Sequence, residues 1–274
     1  MIFRVFCDLA FNVSDDAVLA LQIAPSGQAG AIVEEKLVTI VDGGREATLF
    51  EVAGEHGGRV HVLSGMTGAV SITYEAVIDQ QPVAAPAGTH WSGSPAVDLE
   101  TMTYLRQSRY CPSDQLAGFA AVELGAGGAD PATVASWVFE RLAYEIGSSG
   151  PLDTAVDTLL KGAGVCRDFA HLTVALCRAL GYPSRLVSVY APGLYPMDFH
   201  AVAEVHEHGS WHVLDATRLA PRSSLVRIAT GRDAADTAFA STITGDAELT
   251  YCQVSATVDG YLPGDDHTQR HALA

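Results

Sequence analysis

The stretch between Gly164 and Gly181 restricts the fold more than any other part of this sequence. Its apolar residues recur at three- and four-residue spacing: Phe169, Leu172, Thr173, Leu176, Cys177 and Leu180. This spacing predicts a helix from Cys166 to Leu180 with one strongly buried face, and Pro183 lies just beyond its end. Three runs of strand character follow: Arg185–Tyr190, Phe199–His206 and Trp211–Leu214. An α+β unit is therefore expected, with a buried helix packed on an antiparallel sheet.

The first hundred residues are rich in predicted strands. The strand-like runs are Phe3–Leu9, Ala17–Ile23, Ile32–Ile40, Arg59–Leu63 and Val70–Val77. Turn-forming residues separate these runs, a pattern typical of a sandwich or a small barrel. Residues 80–95 carry three prolines without periodicity and are interpreted as a linker. We therefore expect a β-rich N-terminal domain at 1–95, a second domain at 96–264 and a frayed polar tail at 265–274.

Helices are predicted to fill the space between this linker and Cys166. A short helix is expected at Gln115–Leu124. Asp130 and Pro131 begin another, whose apolar stripe extends to Ile146, and a third is expected at Thr154–Lys161. Near the end of the chain, Glu248–Val258 has the character of one more strand.

Charge and composition exclude several classes of partner. The chain has 16 basic and 32 acidic residues, a net charge of −16, whereas nucleic acids and anionic membranes bind positive surfaces. The N-terminal residues do not resemble a signal peptide, and no apolar run of 18 residues predicts a spanning helix. We expect neither a nucleic-acid nor a membrane partner; the sequence does not indicate the oligomeric state.

The cysteines favour a reducing compartment and a cytoplasmic location. Five cysteines are dispersed along the chain, an odd number that does not suit a disulfide framework. No Cys-x-x-Cys pair occurs, which argues against a zinc site or a thioredoxin-type centre. His206, His208 and His212 surround one turn, yet they lack a thiolate or carboxylate at ligand spacing. No cofactor and no metal are therefore expected.

Cys166 is a candidate nucleophile because of its position at the predicted start of the helix. Unpaired backbone N–H groups and the positive end of the helix dipole favour a thiolate there. Cys177 lies eleven residues further along the helix, roughly 16 Å away, which suits a core thiol. Asp168, in the first turn, is interpreted as a residue that complements the dipole, and Cys111 as an ordinary loop thiol.

A catalytic thiol needs a base, and the following hairpin offers one. His171 lies about 140° around the helix from Cys166 and cannot reach it. If Val205 pairs with Ser210, then His200 lies directly opposite Asp215, close enough for the carboxylate to orient the imidazole. Slipping the register by one residue would separate the two side chains.

Three blocks carry a family resemblance. Residues 164–171 (GVCRDFAH), 199–205 (FHAVAEV) and 211–217 (WHVLDAT) resemble, in order, the signature blocks of the transglutaminase-like superfamily. The resemblance covers roughly residues 101–245 and implies a papain-like catalytic domain. It also implies that Cys166 is the nucleophile, His200 the base and Asp215 the residue that orients it. Many members carry Trp or Phe where this chain has Val202, which affects the cleft more than the triad.

The expected activity is thiol-dependent acyl transfer on a peptide bond or a glutamine side chain through a thioester on Cys166. Hydrolysis, as in a cysteine protease or amidase, is favoured over transfer to an amine, and the partner is a peptide or protein amide. Two alternatives stay open. One is a binding protein that keeps the fold without turnover; the other is a metal-dependent hydrolase that uses the turn histidines.

Overall fold

A computed structural model describes residues 1–14, 16–81, 98–125 and 129–274. The helices are α1 (Leu99–Leu105), α2 (Ser113–Glu123), α3 (Pro131–Arg141), α4 (Ala155–Lys161), α5 (Cys166–Ala179) and α6 (Ala234–Thr237). The first seven strands are β1 (Ile2–Val13), β2 (Val18–Leu21), β3 (Ala31–Val41), β4 (Arg45–Ala47), β5 (Phe50–Ala53), β6 (Arg59–Ser64) and β7 (Gly68–Asp79). The remaining strands are β8 (Ala143–Tyr144), β9 (Ala163–Gly164), β10 (Ser184–Tyr190), β11 (Phe199–Glu207), β12 (Ser210–Leu214), β13 (Val226–Gly231), β14 (Ala240–Thr244) and β15 (Ala247–Val258). Short 3₁₀ turns lie at Glu55–Gly57 and Arg222–Ser224.

Two antiparallel sheets enclose the β-rich core. Their strand orders are β15-β1-β7-β3-β4 and β14-β2-β6-β5. Alternate side chains of β1 are buried, from Phe3 to Val13, because successive residues of a strand point to opposite faces. The five strands expected in the first hundred residues are present, each within a few residues of its expected bounds.

A second core lies between α5 and the sheet β12-β11-β10-β13. Leu172 and Leu176 of α5 are fully buried and pack with Ala203 and Val205 of β11. Helices α2, α3 and α4 cover the other sides of α5. The mixed α+β fold and the central buried helix are thus as expected from the sequence.

The predicted helix from Asp130 to Ile146 is too long. Helix α3 ends at Arg141, and the backbone then forms the short parallel pair β8–β9, in which Ala143 N–H donates to the Gly162 carbonyl at 2.9 Å. Apolar spacing continues past Arg141, but the main chain bonds to the segment preceding Cys166 instead of continuing the helix. Helix α1 and strands β4 and β5 were not expected.

The last strands return to the β-rich sheets. Strand β15 pairs with β1 along its length, and β14 pairs with β2. The division of the chain at residue 95 stays a prediction, and its linker lies mostly outside the described residues. Spatially, however, residues 240–258 belong with the N-terminal strands. Sequence order did not reveal this arrangement, because strands that are far apart in the sequence can pair in the folded chain.

The expected frayed tail is wrong, because residues 265–274 are anchored. Asp265 accepts hydrogen bonds from the Arg222 guanidinium at 2.7 and 2.9 Å, and Leu273 is buried. The carbonyl of Ala274 accepts a bond from Arg227 Nε at 3.0 Å. Polar composition suggested a free tail, but its acidic and apolar groups find buried partners.

Candidate active site

Cys166 begins α5 at the mouth of a cleft, where its side chain is half-buried. Val165 before it has extended backbone, which turns the chain sharply into the helix. Asp168 caps this start, since its carboxylate accepts the Val165 N–H at 2.9 Å. The sequence predicted that this first-turn acid complements the helix dipole, and the structure shows that it also caps the helix start through the Val165 N–H.

Gly164 allows the segment before Cys166 to lie against the helix. A Cβ at this position would lie 2.6 Å from Cβ of Asp168 and 3.0 Å from its Oδ2. Asp168 is fully buried and also accepts hydrogen bonds from Ser149 Oγ and from Arg167, at 3.1 Å for the latter. The Arg167 guanidinium donates to the Gly150 carbonyl at 2.7 Å. These contacts fix the loop around Gly150 beside the helix start.

His200 and Asp215 are joined by a hydrogen bond of 2.9 Å between Nε2 and Oδ2. Both residues are buried, with 1% and 5% of their surfaces exposed. Thr217 donates to the other carboxylate oxygen from its backbone N–H and its hydroxyl, at 2.9 and 2.7 Å. The carboxylate is therefore held on both sides and aimed at the imidazole.

The predicted register of this hairpin was wrong by two residues. Glu207 pairs with Ser210, so the connection is the two-residue turn His208-Gly209, with φ of 51° and 82°. Positive φ at both positions is typical of a type I′ turn, which joins tightly twisted strands. His200 and Asp215 are consequently diagonal neighbours. They still meet because a two-residue slip keeps side chains on the same face.

The electrostatics of this pair favour an imidazolium. Burial alone would lower the pKa of His200, but the Asp215 charge and hydrogen bond, followed by the Cys166 side chain, raise it to about 10. Burial would likewise raise the pKa of Asp215, yet His200 and Thr217 together lower it. The second ring nitrogen of His200, Nδ1, has no hydrogen-bond partner within the described part of the chain, and the Cys166 side chain adjoins the ring.

Tyr144 is a neighbour of Cys166 that the sequence did not indicate. It lies on β8 opposite Gly164, and its ring packs against Phe169 with centroids 5.9 Å apart. Burial, followed by the proximity of Cys166, raises the pKa of its phenol to about 12. The sequence placed Tyr144 in a predicted helix but away from its apolar stripe, so no sequence signal distinguished it.

A cavity of about 550 Å³ adjoins Cys166 and His200. Sheet residues, α6 and the segment 238–241 form its walls, and Gln22 of the β-rich part also lines it. Both parts of the chain therefore contribute to the space beside the thiol.

The other candidate groups lie apart from this pair. His171 is fully buried, stacked on Tyr110 at 5.2 Å, and accepts the Ala234 N–H at 3.1 Å. Burial lowers its pKa to about 4, which suits a neutral structural ring. Cys111 and Cys177 are buried core thiols.

Two of the histidines around the β11–β12 turn, His206 and His212, contact different neighbours. The His206 ring lies against Trp211, whereas His212 bonds to the Ser210 hydroxyl at 3.0 Å. Across residues 1–14, 16–81, 98–125 and 129–274, no three His, Cys, Asp or Glu side chains form a group suited to a metal ion. Over the same ranges, no helix is both long and apolar enough to cross a bilayer.

The arrangement of a thiol at a helix start beside a sheet-borne imidazole and carboxylate is that of the papain-like class of folds. The profile of the Transglutaminase-like superfamily matches residues 125–216, which include all three groups. A crystal structure named "Putative Cysteine Protease", from Cytophaga hutchinsonii, is 31% identical and superposes with a TM-score of 0.83, over 98% of this chain and 95% of that one. This chain belongs to the transglutaminase-like superfamily.

Two further relatives match a smaller share of this chain. An uncharacterized protein of Mycobacterium leprae (strain TN) is 32% identical over 115 residues, which are 38% of this chain and 40% of that protein. The chain thus spans well under half the length of this curated relative. The periplasmic domain of TgpA from Pseudomonas aeruginosa is 16% identical, with a TM-score of 0.38 over 80% of this chain and 90% of that one.

Proposed function

We propose that this protein is a thiol enzyme in which Cys166 attacks a peptide or glutamine-type amide and His200 and Asp215 assist. The observation that carries the proposal is the buried 2.9 Å hydrogen bond between His200 and Asp215 beside the half-buried Cys166 thiol. A carboxylate that stabilises an imidazolium also stabilises the thiolate–imidazolium pair that a cysteine nucleophile requires.

The proposed reaction proceeds in two steps. The Cys166 thiolate adds to the carbonyl carbon, and the backbone N–H groups at the start of α5 stabilise the oxyanion. The C–N bond then breaks, the His200 imidazolium gives its proton to the leaving amine, and a thioester remains. In the second step neutral His200 takes a proton from water, the hydroxide attacks the thioester, and the acid and the thiolate are released.

Exposed apolar side chains beside the cavity support a polypeptide substrate. Tyr195 and Met197, in the loop before His200, are 91% and 42% exposed. Ile146 and Leu152, in the loop held beside α5, are 75% and 68% exposed. The same two loops supply Pro151 and Asp198 to the cavity lining, and exposed apolar groups on such loops favour contact with a large partner. The net charge of −16 and the five unpaired cysteines support a cytoplasmic enzyme without a nucleic-acid or membrane partner.

The proposal is tested by digesting a peptide library with the wild-type chain and with Cys166→Ala, His200→Gln and Asp215→Asn. We expect new termini only with active protein, a loss of at least about 10³-fold in the first two variants and a smaller loss in the third. Full turnover by Cys166→Ala would contradict the proposal, as would binding of peptides without turnover by the wild type.

Hydrolysis is proposed to prevail over amine transfer. Adding methylamine to the same digestion separates the two outcomes, because transfer yields methylamide products and hydrolysis yields carboxylates. We expect carboxylates to predominate at millimolar methylamine. Predominant methylamide would identify an acyltransferase while leaving the role of Cys166 intact.

A further inference from the structure

Asp198 is a carboxylate beside the thiol that has no cationic partner. It lies directly before β11, two residues from His200, and it lines the cavity that adjoins Cys166. Its Oδ1 accepts the Phe199 N–H at 2.7 Å, and it forms an ion pair with no lysine, arginine or histidine among the described residues. The residue is exposed at the cleft, yet burial raises the pKa of its carboxyl against the opposing effects of the Phe199 N–H and His200. The carboxylate is therefore available to a cation that a ligand brings.

Three neighbouring groups locate the Asp198 charge at the mouth of the cavity. The charge acts on the His200 imidazole. It adds to the effects of burial and of Cys166, which raise the pKa of the Tyr144 phenol to about 12. It also follows burial in raising the pKa of the Cys252 thiol to about 11. Because His200 and Tyr144 both adjoin Cys166, the carboxylate lies within reach of a side chain on the residue that Cys166 attacks.

The other charges around the thiol do not cancel the charge of Asp198. Arg167 also lines the cavity, but its guanidinium lies 3.1 Å from the buried Asp168 carboxylate, which neutralises it. The thiolate and the imidazolium of the proposed ion pair cancel each other, and the Asp215 and Asp198 carboxylates remain. The site is therefore negative, and a cationic ligand group is favoured over a neutral or an anionic one.

The walls of the cavity suit a long side chain with a charged tip. The rings of Phe199 and Phe239 stack with centroids 4.9 Å apart, and Leu186 and Ile228 add apolar surface. Neutral polar side chains also line the cavity: Gln22, Tyr110, Thr237 and Ser241. Their carbonyl and hydroxyl oxygens are acceptors, as an ammonium or a guanidinium requires. Lysine and arginine combine an apolar stem with a cationic tip and therefore match both kinds of wall.

We propose that Asp198 selects a basic residue, lysine or arginine, as the residue whose carbonyl Cys166 attacks. This proposal rests on the proposed function, because it places the scissile carbonyl at Cys166. The stem of the basic residue lies along the apolar walls, and its charged tip forms an ion pair with the Asp198 carboxylate. A glutamine side chain has no charge to offer this carboxylate, so peptide bonds that follow basic residues are the favoured amides.

Peptidyl chloromethyl ketones test this selection without requiring turnover. The Cys166 sulfur displaces chloride from the methylene carbon, so that a C–S bond forms, chloride leaves and the thiol proton passes to the buffer. Three reagents differ only in their last residue: lysine, norleucine, which lacks the ammonium group, and glutamate. Peptide mapping at pH 7 gives the alkylation rate at Cys166. We expect the lysine reagent to react about 10-fold faster than the norleucine reagent, and the glutamate reagent to be the slowest.

Variants separate the charge of Asp198 from the shape of the cavity. Asp198→Asn keeps the size of the side chain, and the lysine and norleucine rates should then agree within about 2-fold. Asp198→Lys reverses the charge and should make the glutamate reagent the fastest. Glu145→Gln is the matched control, because Glu145 is an exposed acid next to Tyr144 that does not line the cavity, and the wild-type ranking should persist. In the wild type, the lysine preference should shrink in about 1 M salt, which screens a partly exposed ion pair.

The outcomes distinguish the two proposals. If neither these reagents nor iodoacetamide modify Cys166, the proposed function is wrong. If Cys166 is modified but the norleucine or glutamate reagent reacts as fast as the lysine reagent, the proposed function stands and the basic specificity is wrong. A lysine preference that survives Asp198→Asn would overturn the role of Asp198. The wild-type ranking and its salt dependence decide the specificity even if a variant fails to fold.

Discussion

At the scale of single residues, the absent side chain of Gly164 sets the position of Cys166. The Cβ of any other residue would come within 2.6 Å of Asp168, the buried cap of α5. The close approach is between a rigid loop and the first turn of a helix, so neither side can yield without moving the thiol.

Gly164→Ala is therefore expected to destabilise the fold by about 1–3 kcal/mol and to reduce turnover by about 100-fold. Gly150→Ala is the matched control, because a Cβ there meets no atom within 4 Å and it lies in the adjoining loop. Urea unfolding and peptide cleavage measure the two effects. Equal stability and equal cleavage rates in the two variants would show that the close approach at Gly164 is unimportant.

The pKa of His200 predicts a pH-dependent contribution to stability. Its folded value, about 10, lies above the ordinary value near 6.5, so the folded state binds the proton more tightly than the unfolded state. The stabilisation is fully present below about pH 6.5 and is lost as pH rises towards 10, by up to about 1.4 kcal/mol per unit. The difference in unfolding free energy between wild type and His200→Gln should narrow across that window. A constant difference from pH 6 to 10 would contradict the assignment.

At the scale of elements, the sequence located the helix and strands of the site better than their pairing. Helix α5 could be predicted to within a residue because its apolar face, glycine stop and proline are all local signals. The register between β11 and β12 could not be predicted, because the sequence is compatible both with a two-residue turn at His208-Gly209 and with a four-residue loop. Asp215 was nevertheless found, because alternation fixes the face even where the register is wrong.

Glu204 connects three adjacent strands of the sheet β12-β11-β10-β13, which carries His200. Its fully buried carboxylate, on β11, bonds to Arg185 of β10 at 2.7 Å and to Arg227 of β13 at 2.7 and 3.0 Å. Burial alone would raise the pKa of Glu204, but the two arginines lower it to about 2. The ion cluster therefore contributes stability above the ordinary glutamate pKa near 4.3 and loses it as pH falls towards 2.

Glu204→Gln should destabilise the protein by about 3–5 kcal/mol, because it leaves the buried Arg227 guanidinium without a counter-charge and Arg185 with only the more exposed Glu100. Glu51→Gln is the comparison, since Glu51 forms a more exposed pair with Arg59 and its loss should cost less than about 1 kcal/mol. Urea denaturation at pH 7 measures both. Similar losses of unfolding free energy in the two variants would mean that the buried cluster stabilises the protein no more than the exposed pair does.

At the scale of the whole molecule, the β-rich part contributes residues to the cavity beside Cys166. Gln22 of that part lines the cavity, and so does the segment 238–241, which includes the start of β14. The sequence suggested a separate N-terminal domain without chemistry, because its residues carry no catalytic motif. Its contribution depends on the return of β14 and β15 to the N-terminal sheets, a long-range pairing that no local pattern predicts.

The C-terminal segment is expected to stabilise the sheet β12-β11-β10-β13. Asp265→Asn removes the carboxylate that holds the buried Arg222 and should lower the unfolding free energy by about 3 kcal/mol. Asp266→Asn is the control, since this exposed neighbour bonds only to the backbone of its own turn. Thermal unfolding of both variants checks the prediction. Equal thermal stability of the two variants would contradict the prediction and indicate that the tail is free.

The pairing of Cys166 with His200 is tested most directly by the rate of iodoacetamide labelling of each cysteine, resolved by peptide mapping. Cys252 is the internal reference, because the residue is exposed while partial burial of its thiol raises the pKa to about 11, so at neutral pH almost all of it is the protonated, unreactive form. At pH 6 to 7 we expect Cys166 to be labelled at least about 100-fold faster than Cys252, and His200→Gln to remove that advantage. Equal labelling of the two cysteines in the wild type, or fast labelling of Cys166 that survives His200→Gln, would contradict the proposed active site.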